Sequence, residues 1–320
     1  MPPRRVIGID AGGTKLLGGV VDEGLVVHHR VHRTWRGGDR SETIDIIVES
    51  VEEVRAAAPD VAAVGFGIPA LVEWETGVSR WSTHLPLADV RFRDVMSERL
   101  GLPVVVDNDA NAALLAESRF GAARFVSNAV LVALGTGIGS GLLLDGRIYR
   151  GARGLGAEIG HMVIDLHGPD CQGACPGRGC LEVMASGSAI GREGRAAAAA
   201  LPESALGRRL AAEQEITGGI VTELAHAGDA AAVSVLAQIG RRLGYGLVGV
   251  VNVFNPELIV IGGGAIAAGE LLLGPAREVV SERALPPARE MVEIVPATFG
   301  DESGMLGAAL LAFDSLEGSV

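Results

Sequence analysis

Two stretches of this chain follow one plan. Val6 to Ile9 is a short apolar run that enters Asp10-Ala11-Gly12-Gly13-Thr14-Lys15, and Leu16 to Val21 is apolar again. Val130 to Leu134 enters Gly135-Thr136-Gly137-Ile138-Gly139-Ser140-Gly141, and Leu142 to Leu144 follows. Each reads as strand, glycine turn, strand: a hairpin whose tip presents backbone N–H groups. An internal duplication constrains the fold more than any single motif does. Two related hairpins in two domains can close on one polyphosphate from both sides. A length of 320 residues, long for one core, also favours two domains.

The first tip can wrap phosphate oxygens, with Thr14 and Lys15 as side-chain donors, or it can be an ordinary turn. It is not a P-loop, because too few residues separate the glycines from Lys15 and no helix pattern follows. Asp10 discriminates. A carboxylate beside a phosphate cradle is repulsive unless a cation lies between them, so Mg²⁺ is implied.

Ser41 to Ala58 carries apolar residues at helical spacing and reads as a surface helix without a function. Val61 to Phe66 is a buried strand that runs into Gly67-Ile68-Pro69-Ala70. That loop can line a substrate site, although a simple turn accounts for it equally well. Val104 to Val106 is another strand, followed by Asp107-Asn108-Asp109-Ala110-Asn111 and an Ala/Leu-rich helix to Phe120. Asp109 therefore belongs at or beside a helix N-terminus. It is either an N-cap or a general base, which the positive helix end would keep ionised to accept a hydroxyl proton. Three polar residues in a row between a buried strand and a helix favour the base. Farther on, the strand Leu258 to Ile261 runs into Gly262-Gly263-Gly264, which permits close backbone approach to a flat or anionic ligand, or only turns the chain. Gly304 to Phe313 predicts a terminal apolar helix.

All three cysteines fall in one stretch, Cys171, Cys175 and Cys180, with His161 ahead of them. Borderline-soft Zn²⁺ prefers thiolate and imidazole ligands, so the set reads as a closed tetrahedral zinc site; three free thiols and a loop histidine are the alternative. Glu158 and Glu182 flank the cluster as spare carboxylates.

The net charge of −12 argues against a general nucleic-acid binder, though a nucleotide held by backbone N–H groups stays allowed. No apolar run reaches the roughly 18 residues of a membrane helix. Met1 to Arg5 lead straight into a strand without a cleavage pattern, and the cysteines sit in one cluster. The expectation is a cytoplasmic protein with reduced thiols.

Taken together, Asp10-x-Gly12-Gly13-Thr14-Lys15, Asn108-Asp109-Ala110-Asn111, Glu158-x-Gly160-His161 and Gly179-Cys180-Leu181-Glu182 resemble the ROK family of sugar kinases and repressors. Order and spacing fit from residue 6 to about 310. The resemblance implies a two-domain α/β fold of the actin-like, ribonuclease-H-like ATPase type, with a nucleotide and sugar cleft between the domains. The expected division is 1–118 plus 303–320 against 119–302, with the terminal helix packed back on the N-terminal domain. It implies Asp109 as the base, and Asn108, Asp109, Glu158, His161 and Glu182 on the sugar, with Gly67 bordering it. Asp10, Gly12, Gly13, Thr14, Lys15, Gly135, Thr136 and Gly137 match phosphate-binding elements, and Gly262, Gly263 and Gly264 match part of the adenosine site. His161, Cys171, Cys175 and Cys180 match the zinc ligands, so one imidazole nitrogen would bind zinc while the other meets a sugar hydroxyl.

Several residues depart from the family pattern. Cys171 and Cys175 stand two residues farther apart than usual, Ala70 replaces a common glycine, and Asp107 stands where many members carry Glu. The expected activity is ATP-dependent phosphorylation of a hexose 6-hydroxyl, glucose first, with ATP, Mg²⁺ and structural Zn²⁺. Kinases for N-acetylmannosamine, N-acetylglucosamine, mannose or fructose, and a polyphosphate-using variant, are the alternatives. A sugar-responsive repressor is the remote one, since repressors of this family carry a helix-turn-helix domain ahead of the first hairpin and here only Met1 to Arg5 precede it. A homodimer or homotetramer is expected, with no nucleic-acid or membrane partner.

Overall fold

The structure, a computed structural model, describes residues 4–35, 38–82 and 84–318. In chain order the first half forms β1 (Arg5–Ala11), β2 (Lys15–Asp22), β3 (Val27–Thr34), α1 (Arg40–Ala56), β4 (Val64–Ile68), β5 (Leu71–Glu73), β6 (Val78–Trp81), α2 (Phe92–Leu100), β7 (Val104–Asn108) and α3 (Asp109–Phe120). There follow β8 (Ala129–Leu134), β9 (Ile138–Leu144), β10 (Arg147–Tyr149), α4 (Leu181–Ala185), α5 (Gly187–Ala200), α6 (Ala205–Ala211), α7 (Gly218–His226) and α8 (Ala230–Phe254). The chain ends with β11 (Leu258–Gly262), α9 (Glu270–Arg283), α10 (Ala288–Met291), β12 (Glu293–Pro296) and α11 (Ser303–Leu316).

Two five-stranded sheets have the orders β3-β2-β1-β4-β7 and β10-β9-β8-β11-β12. The duplicated hairpins, β1–β2 and β8–β9, hold corresponding places in them. Strands β1, β4 and β7 run parallel, as do β8, β11 and β12. Parallel strands buried on both faces explain the unbroken apolar runs at 64–66, 104–106 and 258–261.

The chain divides into two compact units, one of Met1–Ser127, Gly141–Ala157 and Ala297–Val320, the other of Asn128–Ser140 and Glu158–Pro296. The expected boundaries at 118/119 and 302/303 shift for two reasons. Residues 297–302 are drawn to the first unit because the buried Glu117 carboxylate accepts from the Thr298 and Phe299 N–H groups and the Ser303 hydroxyl. Residues 141–157 join it in part through Arg150, which bonds Asp107.

In the first unit α11 packs back on the β1–β4–β7 sheet and on α3, as the resemblance implies. Gly8 and Gly65 make this possible, since a Cβ on either would strike the α11 backbone at Met305 or Ala308. Met305, Leu306, Leu310 and Phe313 are buried by that packing, each contributing about 1.5–3 kcal/mol of transfer free energy. In the second unit α5 to α9 pack against one another, and the long helix α8 buries Val235, Leu236, Ile239, Leu243 and Leu247. No single helix among the described residues is long and apolar enough to cross a membrane.

Candidate active site

In the first unit, strand register assembles the chemistry. Asp10 on β1 lies opposite Gly67 on β4, and Gly67 lies opposite Asp107 on β7. The carboxyl ends of three parallel strands thus bring Asp10, Gly67, Asn108 and Asp109 to one sheet edge, the usual ligand edge of such sheets. Gly67 falls within β4 and not in the loop after it. Its missing side chain matters, because a Cβ there would lie 3.2 Å from the Asp109 Cα.

Asn108, and not Asp109, is the N-cap of α3. Its Oδ1 accepts from the Ala110 and Asn111 N–H groups at 2.9 and 3.2 Å. Asp109 is the first residue of the helix, and its own Oδ1 also accepts from the Ala110 N–H, at 2.8 Å. Its carboxyl titrates above the usual carboxylate range: burial raises it by more than the Ala110 N–H and His84 lower it. Burial thus outweighs the helix-terminus N–H, which the sequence expects to help keep this carboxylate ionised. The result is a better proton acceptor. Asp10 is pushed up to about 8, first by burial and then by the charges of Asp109 and Asp301. Such crowding of carboxylates calls for a cation.

The first hairpin places Gly12, Gly13 and Thr14 at its tip and starts β2 at Lys15. Trp35, a residue the sequence reading passed over, fixes this tip. Its Nε1 donates to Gly12 O at 3.0 Å and its N–H to Thr14 O at 3.1 Å. With those carbonyls engaged, the tip's N–H groups are the ones left for an anion. The Lys15 side chain is 65% exposed, with Nζ 3.9 Å from Asp301 Oδ2.

In the second unit, β8 and β11 run parallel with Gly262 opposite Ala133. Gly135, Thr136 and Gly137 after β8, and Gly262, Gly263 and Gly264 after β11, therefore leave one sheet edge together. Gly263 has φ of 79°, and a Cβ on it would lie 2.6 Å from the Leu134 backbone. The Gly135–Gly137 turn is braced at three points. Gly187 N–H donates to Gly135 O at 2.8 Å, Gln172 Nε2 to Thr136 O at 3.1 Å, and Ile138 N–H to Glu182 Oε2 at 2.9 Å. Gln172, in the widened loop between Cys171 and Cys175, was not foreseen; nothing in its local spacing marks a bond to Thr136.

Glu158 and His161 flank a short 3₁₀ turn whose Ile159 N–H donates to Ser140 Oγ at 3.0 Å. One ligand atom from each of His161, Cys171, Cys175 and Cys180 lies within 4.8 Å of the others. His161 directs Nδ1 toward Cys171 Sγ at 3.7 Å and Nε2 toward Glu158 Oε2 at 4.0 Å. Tetrahedral Zn²⁺ with bonds of about 2.0–2.3 Å needs donors roughly 3.5–3.8 Å apart, so the set fits after a small contraction, and the Cys171–Cys175 widening does not break it. Glu182 is 4% exposed; besides Ile138, it faces Cys171 Sγ at 3.9 Å through Oε1. Burial raises the Cys171 and Cys180 thiols.

A family model described as the ROK family matches residues 6–315. The glucokinase of Thermotoga maritima is 34% identical over 320 residues, 99% of this chain and 100% of the relative. Among solved structures, a ROK family glucokinase from Streptomyces griseus in complex with glucose and AMPPNP superposes with a TM-score of 0.89 at 32% identity, over 97% of this chain and 99% of that one. A ROK family transcriptional regulator, a homolog of the E. coli MLC protein, gives 0.87 at 30% identity, over 99% of this chain and 80% of the regulator.

Proposed function

The chain belongs to the ROK family and has its actin-like α/β fold, and we propose that it transfers the γ-phosphoryl group of ATP to the 6-hydroxyl of glucose. The observation that carries this reading is Asp109: a carboxylate made more basic by burial, at the ligand edge of a parallel sheet and next to the N-cap Asn108. Similarity to glucokinases over the whole chain supports the sugar.

In this reaction Asp109 takes the proton of the sugar hydroxyl. The freed oxygen bonds to the γ-phosphorus, the bond from that phosphorus to its bridging oxygen breaks, and ADP leaves with the electron pair. Asn108 offers a side-chain N–H to the sugar, because Oδ1 is committed to the cap and Nδ2 also donates to Ala70 O at 3.4 Å. Glu158, the His161 Nε2 edge and Glu182 take further hydroxyls, and Gly67 borders the ring. Gly12, Gly13, Thr14, Lys15 and Gly135 to Gly137 receive phosphates, and Gly262 to Gly264 the adenosine. Asp10 would hold Mg²⁺, which spreads the negative charge of the phosphates. His161 and the three cysteines would hold a structural Zn²⁺ that orients the imidazole. We place the protein in the cytoplasm as a homodimer or homotetramer, on the cysteine cluster and the family resemblance.

Two measurements test the reading. Asp109→Asn is expected to lower kcat by roughly 10²–10⁴-fold while calorimetry still detects glucose binding; near-normal turnover would refute the base. ADP release assayed across glucose, mannose, fructose, N-acetylmannosamine and N-acetylglucosamine is expected to favour glucose. Equal rates on the N-acetyl sugars would reassign the substrate.

A further inference from the structure

Asp107 has no part in the reaction above, yet it is 1% exposed. A carboxylate so placed needs its lone pairs and its charge satisfied. Oδ1 accepts from Asn108 N–H at 2.8 Å and from Asn111 Nδ2 at 3.1 Å. Oδ2 accepts from Arg150 Nε at 2.8 Å. The Arg150 side chain is itself 19% exposed, and its guanidinium carbon lies 3.7 Å from the centroid of the Trp74 ring. Arg150 is thus held by its face on Trp74 and by its edge on Asp107. Lysine could not do both, because an ammonium has no plane to stack and no fixed fork of donors.

Asn108 and Asn111 stand on either side of Asp109, so a carboxylate that grips both sets where the Asp109 Cα lies. Loss of the guanidinium would leave Asp107 buried without a charge partner, and it would neutralise or draw in water. Either response loosens the grip on the turn. The backbone beyond Arg150 is tied down as well: Gly156 N–H donates to Arg150 O at 2.9 Å, and Gly154 lies against the backbone of Val72 and Trp74.

We propose that Arg150, stacked on Trp74 and bonded to buried Asp107, is a positioning residue for the phosphoryl-transfer base: it holds Asp107, and Asp107 holds the Asn108–Asn111 turn that aims Asp109. The inference rests on Asp109 being the base.

The test measures kcat, both KM values and calorimetric glucose affinity for Arg150→Gln and Arg150→Lys, per mole of folded protein. Arg150→Gln is expected to lose roughly 10²-fold in kcat, the scale of a small misplacement of a catalytic group, with both KM values and glucose affinity changed less than about threefold. Arg150→Lys is expected to recover only a minor part of that loss. An unchanged kcat, a loss appearing in KM, or full recovery by lysine would overturn the proposal. If Arg150→Gln does not fold, Trp74→Phe, which keeps an apolar ring under the guanidinium but weakens the stack, is expected to lower kcat in the same direction without moving KM; an unchanged kcat there overturns the clamp. Failure of the base itself is read separately, as turnover retained by Asp109→Asn.

Discussion

The two units solve one problem with different materials. Each must fix a turn that follows a parallel strand, and each does so with a buried carboxylate that accepts a backbone N–H from that turn. In the first unit Asp107 accepts from Asn108, and in the second Glu182 accepts from Ile138. The other oxygen marks the difference. For Asp107 it meets the Arg150 guanidinium, a cation written into the chain. For Glu182 it faces Cys171 Sγ, one of three sulfurs gathered around His161. Thiolates beside a carboxylate repel one another unless a cation joins them. The first brace is complete as translated, whereas the proposed zinc would complete the second.

The surrounding packing favours a metal at the second brace. The base turn sits between β7 and α3, against a large core containing Val105, Ala112, Leu115 and Leu306. Around the cysteines, Cys180, Val183 and Met184 are buried together, with Ile164, Cys171 and Cys175 half-buried against them. A cluster this small offsets little of the ordering entropy of the cysteine loops, and a tetrahedral metal would supply further cross-links.

The largest expected effect follows from breaking that difference. Metal analysis is expected to find one zinc per chain, and Cys180→Ser, which replaces the buried sulfur, is expected to abolish it and to lower kcat/KM by at least roughly 10²-fold. Amide exchange is expected to accelerate across 158–182 while 104–111 keeps its protection. Equal loss of protection in both stretches would show that the units are not braced independently, and a metal-free, fully active protein would remove zinc from the account.

What the sequence made legible follows the same division. Short-range patterns survived: both glycine hairpins, the helix starting at Asp109 and the metal-ligand set all lie where their spacing placed them. Choices between neighbours did not. Asn108 and Asp109 are both good caps, and only side-chain geometry decided that Asn108 takes the role. Contacts between distant residues were invisible, because nothing near Arg150 points to Asp107, nor anything near Trp35 to Gly12. The burial of Glu182 and the passage of 141–157 into the first unit are likewise properties of packing, which periodicity does not encode.

A smaller effect sharpens the link between the metal loop and the second turn. Gln172 bonds Thr136 O from an exposed loop, so removing it leaves an acceptor that water can reach, at a cost of about 0.5–1.5 kcal/mol. Gln172→Ala is expected to raise KM for ATP by roughly 2–10-fold, with KM for glucose and the zinc content unchanged. Should the glucose KM move instead, the widened loop serves the sugar wall and not the phosphate turn.

The smallest effect concerns backbone strain. Ala157 has φ of 69°, left-handed for a residue with a Cβ, and the next residue is Glu158. Holding alanine there costs about 1–2 kcal/mol relative to its right-handed form, and glycine would carry no such cost. Glycine also gains freedom in the unfolded chain, which returns about 0.4–1 kcal/mol, so Ala157→Gly is expected to raise the melting temperature by only about 1–3 °C. Its kinetic consequence separates two uses of the alanine. If the stiff residue serves to aim Glu158, the glycine variant should show a rise of roughly 2–3-fold in KM for glucose with kcat and KM for ATP unchanged. A stability gain with the glucose KM unmoved would mean that the strain is borne without being used. Glu158 would then owe its position to the Ile159–Ser140 bond and the metal-bound His161, on the metal-dependent side of the comparison.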